Sequence, residues 1–190
     1  MTEPLKLLSF SLIGTIAFFS ACTNARSKLP DFGHVPEFQM TDSTGRAFDS
    51  KTLAGKVWVA DFIYTTCPGP CPRMTSQMHR LDMQVNGDPI IRLVSISVDP
   101  QHDTPAVLND YAHHFGGPTS QWLFLTGSAA TVHQVAYETF HTGDVIGKMD
   151  HSTKFALVDK RGQIRGYYSS FDADGMASLL KDIAALRSAS

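Results

Sequence analysis

Thr65-Thr66-Cys67-Pro68-Gly69-Pro70-Cys71-Pro72-Arg73-Met74 follows directly on the apolar run Val57-Trp58-Val59-Ala60-Asp61-Phe62-Ile63-Tyr64. A continuous apolar run of this length, rich in β-branched and aromatic residues, reads as a buried strand. Beyond Pro72, apolar residues recur at Met74, Met78, Leu81 and Val85. Those steps of four, three and four put them on one helix face. The two cysteines therefore fall on a strand-to-helix turn. There the backbone N–H groups lack intrahelical partners and the helix dipole is positive. A thiolate is an anion, so both sulfurs are expected to ionise more readily than a free thiol.

Working outward, residues 38–42 alternate apolar and polar, residues 43–46 supply a turn, and Ala47-Phe48-Asp49 returns. This predicts an N-terminal β-hairpin. After the helix, Asn86-Gly87-Asp88-Pro89 is a stop, and Ile90 to Val98 reads as a second buried strand. Asp99-Pro100-Gln101-His102-Asp103-Thr104-Pro105 follows. Thr104 or Asp103 can cap the next helix, with Pro105 in its first turn. Trp122 to Thr126 predicts a short strand. The next helix carries Val132, Val135, Ala136 and Phe140 on one face. A loop from His141 to Thr153 leads to strands at 155–159 and 164–168. A last helix runs from about Asp172 to Arg187. Strands alternating with helices give a central mixed sheet flanked by helices on both faces. A cysteine motif between the first long strand and its helix is the thioredoxin-like arrangement. In such sheets, sites gather where the carboxyl ends of strands meet loops.

The 190 residues suit one domain with a substantial core. The formal charge is −2 with no basic cluster, so a nucleic-acid role has no electrostatic support. Three cysteines are too few for a disulfide-stapled scaffold. Lys6, the apolar stretch from Leu7 to Ala21, and the small residues Ser20-Ala21 before Cys22 describe an export signal. The stretch is shorter than the roughly 18 apolar residues wanted for a membrane span. Ser20-Ala21-Cys22 resembles the bacterial lipobox, in which the cysteine becomes a lipidated N-terminus; an uncleaved anchor is the alternative. Either way residues 1–22 are the leader, 23–31 a polar tether, and 32–190 the domain. The expected location is the extracytoplasmic face of the bacterial cell envelope, anchored to a membrane.

Three segments together carry a family resemblance: residues 61–72, residues 97–105, and Asp150-His151-Ser152. In order and spacing they resemble the Sco/SenC copper metallochaperones, which help assemble the copper centre of cytochrome c oxidase. The resemblance implies copper bound by Cys67, Cys71 and His151, with Asp99 and Asp103 in a supporting loop. It implies an assembly factor that delivers copper to an oxidase copper-site subunit, or maintains that subunit's thiols. The residue types suit the metal. Cu(I) is soft and favours thiolate, and imidazole is a common further ligand. Pro68 and Pro70 restrict the loop between the sulfurs, which reduces the ordering cost of chelation. They also remove N–H donors that would compete for the sulfurs.

Two other readings stay open on the residues alone. One is a thiol–disulfide oxidoreductase with Cys67 as nucleophile and Cys71 as resolving thiol. The three residues between the cysteines, and the lack of a proline just before Phe155, weigh against it. The other is a peroxiredoxin-like peroxidase, which wants a Thr-Pro pattern before the reactive cysteine that Tyr64-Thr65-Thr66 does not supply. Met74 and Met78 are expected in the core rather than on a thioether copper path. His113, His114, His133 and His141 are expected at the surface.

Overall fold

The computed structural model describes residues 29–142 and 153–189. The organising strand, β3 (Val57–Ile63), is buried at every position. Strands β1 (Gln39–Asp42) and β2 (Ala47–Asp49) form the expected N-terminal hairpin. With β4 (Ile91–Ser97), β5 (Trp122–Thr126), β6 (Lys154–Val158) and β7 (Ile164–Ser169), they make a seven-stranded mixed sheet. Its order is β2-β1-β5-β4-β3-β6-β7. The three central strands β5, β4 and β3 run parallel, and β6 returns antiparallel beside β3.

Alternation along β3 divides the molecule into two cores. Val57, Val59 and Ile63 face α1 (Cys71–Val85), α2 (Pro105–His114) and α4 (Ala173–Ser188). Met74, Met78, Leu81, Leu108, Leu179 and Ile183 fill that side. Trp58, Ala60 and Phe62 face the opposite core, with Phe38, Met40 and Phe48 from the hairpin region. Val132, Val135, Ala136 and Phe140 complete it. Phe140 sits 5.8 Å from Trp58 and 5.2 Å from Phe62, ring centre to ring centre.

Two local details differ from the sequence reading, and one settles an alternative it left open. The first helix starts at Cys71, one residue before Pro72, so the missing proline N–H falls in the first turn where it costs nothing. Thr104 caps α2, its hydroxyl accepting Val107 N–H; Asp103 is used elsewhere. The helix over 129–140 is not uniform. It begins as α3 (Ala129–His133), then widens into a π-type turn over Gln134–Thr139 that ends with Phe140 N–H donating to Val135 C=O. The wider turn lets both Val135 and Phe140, five residues apart, point into the core.

The C-terminal end of α1 is sealed by a buried side chain. Gln121 Oε1 accepts Gly87 N–H at 2.7 Å, while Nε2 donates to Val85 C=O at 3.1 Å and Asp88 C=O at 2.7 Å. These bonds satisfy groups a helix end otherwise orphans. Among the described residues no helix is long and apolar enough to cross a membrane. The leader, with Cys22, lies outside the described residues, as does the segment 143–152 that holds His151.

Candidate metal centre

The site grows out of the carboxyl end of β3. Past Ile63 the chain turns, Cys67 N–H donating to Tyr64 C=O at 3.3 Å, and α1 opens with Met74 N–H on Pro70 C=O at 3.0 Å. Cys67 and Cys71 are both buried, at 6% and 2% exposure, and both are free thiols. The ionisation of each is tied to the other across the turn. Met74 and Met78, directly below on α1, are fully buried core residues.

The two sulfurs are not equivalent. Burial pushes the Cys67 thiol up, but four donors outweigh it: the N–H groups of Cys71 and Gly69, the Cys71 thiol and the Tyr64 hydroxyl. Its net shift is downward, as expected at a helix N-terminus. Cys71 goes the other way. Burial, then its thiol's role as donor to Cys67, push it up to about 12, and the Tyr64 N–H offsets only part of this. The expectation that both thiols would ionise readily therefore fails for Cys71. As the first helical residue it points inward, and the free N–H groups of the turn converge on its neighbour instead. Cys67 is thus the more readily ionised thiol of the pair. Pro68 and Pro70 leave Gly69 and Cys71 as the N–H donors between the cysteines, and both serve the Cys67 sulfur.

Asp103 ties this turn to the rest of the sheet. It is fully buried. Its carboxylate accepts Thr65 N–H at 3.1 Å, Thr65 Oγ1–H at 2.6 Å and Ser97 Oγ–H at 2.6 Å. One side chain thus clamps the ends of β3 and β4 together beside the cysteines. Asp99 stands at the start of the same loop. Its N–H donates to Ser97 Oγ at 3.1 Å, its C=O accepts Asp103 N–H at 2.9 Å, and its carboxylate lies 3.6 Å from His102 Nδ1. Asp103 thus braces the cysteine turn through its side chain, and Asp99 anchors the 97–103 loop chiefly through its backbone.

Two residues carried no role in the sequence reading. Asp61, on β3 and six residues before Cys67, is completely buried. Its carboxyl oxygens make no well-formed hydrogen bond among the described residues. Burial raises it to about 7, although the hydroxyl of Ser95, its register partner on β4, pulls it part of the way back. The signal was present: a carboxylate inside an otherwise apolar central strand. Tyr64 is the second, through the contacts to both sulfurs given above.

His113, His114, His133 and His141 are exposed. Among the described residues no three His, Cys, Asp or Glu side chains gather where they could hold a metal. The cysteine pair offers two soft donors among the described residues. Ala60 pairs with Ala156 in the antiparallel register of β3 and β6, so β6 begins beside the carboxyl end of β3. β6 itself starts at Lys154, three residues after His151 in the sequence.

A sequence profile of the SCO1/SenC family matches residues 27–187. The chain belongs to the SCO1/SenC family. Among solved structures, it is similar to a SCO1/SenC family lipoprotein from Bacillus anthracis, with 32% identity and a TM-score of 0.76 over 86% of this chain and 99% of the other. It is similar to BsSco, a member of the Sco family of cytochrome c oxidase assembly proteins in which a disulfide switch has been identified. That match has 26% identity and a TM-score of 0.73 over 86% of this chain and 98% of the other. It is also similar to Bradyrhizobium japonicum ScoI with copper bound, with 27% identity and a TM-score of 0.64 over 78% and 99%. The shared architecture confirms the thioredoxin-like fold of this family member.

Proposed function

We propose that this chain is a membrane-tethered, extracytoplasmic copper carrier that holds copper through Cys67, Cys71 and His151 and passes it to the copper-site subunit of cytochrome c oxidase. The observation that carries this reading is the pair of buried free thiols at the carboxyl end of β3, the end beside which β6 begins three residues after His151 in the sequence. The donor set is chemically apt: two sulfurs and one imidazole give a soft, low-coordinate site for Cu(I). The copper-bound Bradyrhizobium relative supports the metal, and the oxidase-assembly role of BsSco supports the client. The lipoprotein from Bacillus anthracis supports lipidation at Cys22 as the tether.

Copper arrives as cargo, and loading displaces protons. Cys67 is the thiol poised to bind first, and Cys71 must surrender its proton to complete the chelate. The asymmetry of the thiols also favours a second activity, thiol–disulfide exchange. Cys67 would attack a client disulfide, and Cys71, once deprotonated, would attack Cys67 Sγ and expel the client's second thiolate. Two thiols in the chain become one disulfide as one client disulfide becomes two thiols. The same oxidation removes two copper ligands at once, so metal handling and exchange exclude each other on one molecule. The deciding experiment is Cu(I) titration of the chain in its dithiol and disulfide forms. One equivalent bound by the dithiol and none by the disulfide supports the reading; equal binding by both forms refutes it.

A further inference from the structure

β7 ends at Ser169, and residues 169–172 carry the chain into α4. Ser170 in this turn is fully buried. Its N–H and its Oγ–H both donate to the C=O of Thr153, at 3.0 and 2.7 Å. The first bond continues the antiparallel ladder that pairs Lys154 with Ser169. The second is not required by the ladder. A buried hydroxyl is costly unless it is bonded, and alanine would fill the position without that need. The hydroxyl thus gives a second hold on the carbonyl immediately before β6.

The next residue reaches the other way. Phe171 packs against the core cluster that contains Cys67 and Cys71. Its C=O accepts Arg73 Nη2–H at 3.2 Å, and the guanidinium carbon stands 4.5 Å from the centre of its ring. Arg73 is in the first turn of α1, two residues after Cys71. Its side chain is exposed, yet it makes a directional bond and a cation–π contact to the same residue. Phe171 N–H donates to Ser169 Oγ at 3.3 Å, and Asp172 caps α4 by accepting Gly175 N–H. The turn between the two grips is therefore itself fixed.

We propose that the β7–α4 turn is a strut that sets the distance between the cysteine turn and the start of β6, with Ser170 and Arg73 as positioning residues at its two ends. Thr153 lies two residues after His151 in the sequence, as Arg73 lies two residues after Cys71. An imidazole and a sulfur pair meet on one copper ion with less loss of chain entropy when the backbone near each is already held. That consequence rests on the copper reading above. The strut itself belongs to the metal-free fold.

The test uses the full chain in detergent and has two readouts. In metal-free protein, amide exchange of Ser170 is followed by NMR. Arg73→Ala changes only an exposed side chain, and it is expected to speed that exchange about tenfold, the scale of one hydrogen bond. Exchange within twofold of wild type overturns the strut. Cu(I) affinity is then measured by chelator competition for Ser170→Ala, alone and combined with His151→Ala. Alone, Ser170→Ala is expected to weaken binding about tenfold, the lower end for loss of an outer-shell partner. Combined with His151→Ala, it is expected to change affinity by less than twofold, since it acts through the segment that ends at Thr153. The same loss in both backgrounds, or no loss in either, overturns the positioning role. Should His151→Ala alone bind copper as wild type does while Arg73→Ala speeds the exchange, the ligand reading fails and the strut stands.

Discussion

Asp61→Asn isolates the energetic cost of placing a carboxyl group in the middle of the central strand. In the unfolded chain this group ionises near 3.8, and in the folded domain only near 7, because burial opposes the charge. Between those two values the folded state holds a proton that the unfolded state has lost. Raising the pH through that interval therefore favours unfolding. At about 1.4 kcal/mol for each tenfold step, the full interval corresponds to ~4 kcal/mol. Stability from this group is greatest below pH 4 and has been lost by about pH 7. The asparagine variant carries no titrating proton at this site, so its curve lacks that decline. Urea unfolding of both proteins, reduced and metal-free, between about pH 4 and pH 8 measures the difference. Other titrating groups cancel when the variant curve is subtracted from wild type, and any penalty from a buried amide is a constant offset. The wild-type curve is expected to fall relative to the variant by roughly 2–4 kcal/mol across the interval. Parallel curves, differing by less than about 0.5 kcal/mol in their change with pH, would refute the assignment of a neutral buried carboxyl.

Two further outcomes concern the cysteine turn. Asp103→Ala removes three hydrogen bonds and leaves the buried Ser97 hydroxyl and the Thr65 N–H without their partner. It is expected to destabilise the domain by about 3 kcal/mol in urea unfolding and to weaken copper binding, whereas a loss under about 0.5 kcal/mol would show the clamp to be idle. Because Cys71 is pushed up to about 12 and Cys67 is lowered, copper displaces one proton from Cys71 once Cys67 is ionised. Cu(I) affinity, measured by competition with a chromophoric chelator, is expected to rise about tenfold per pH unit across the mildly alkaline range; a flat profile there would mean both thiols are already ionised.

Much of this was legible in the sequence, for physical reasons that differ by residue. The apolar run from Val57 and the 4-3-4 spacing of Met74, Met78, Leu81 and Val85 report burial directly, so strand, turn and helix fell where expected. The hairpin at 39–49 followed from alternation and turn chemistry. The π-type turn at 134–139 did not, because Val132, Val135, Ala136 and Phe140 fit an ordinary helical stripe nearly as well. The division of labour between Asp103 and Thr104 was also hidden. Both are good cap residues, and only the approach of Thr65 and Ser97 decides which carboxylate or hydroxyl turns inward. The asymmetry of the thiols depends on which sulfur the N–H groups of Gly69 and Cys71 reach, a matter of backbone direction that spacing does not encode. Asp61 was visible as an oddity, but its lack of a well-formed hydrogen bond among the described residues is a property of the packed sheet.

The most direct measurement is Cu(I) and Cu(II) titration of the reduced wild-type chain alongside His151→Ala, recording stoichiometry, affinity and the sulfur-to-copper absorption. Wild type is expected to bind one copper per chain with a thiolate charge-transfer band. The variant is expected to stay folded and lose more affinity than the roughly 10–100-fold that removal of an outer-shell partner costs. The same affinity and the same spectrum in both proteins would contradict copper ligation by His151 and leave the cysteine pair to redox exchange alone.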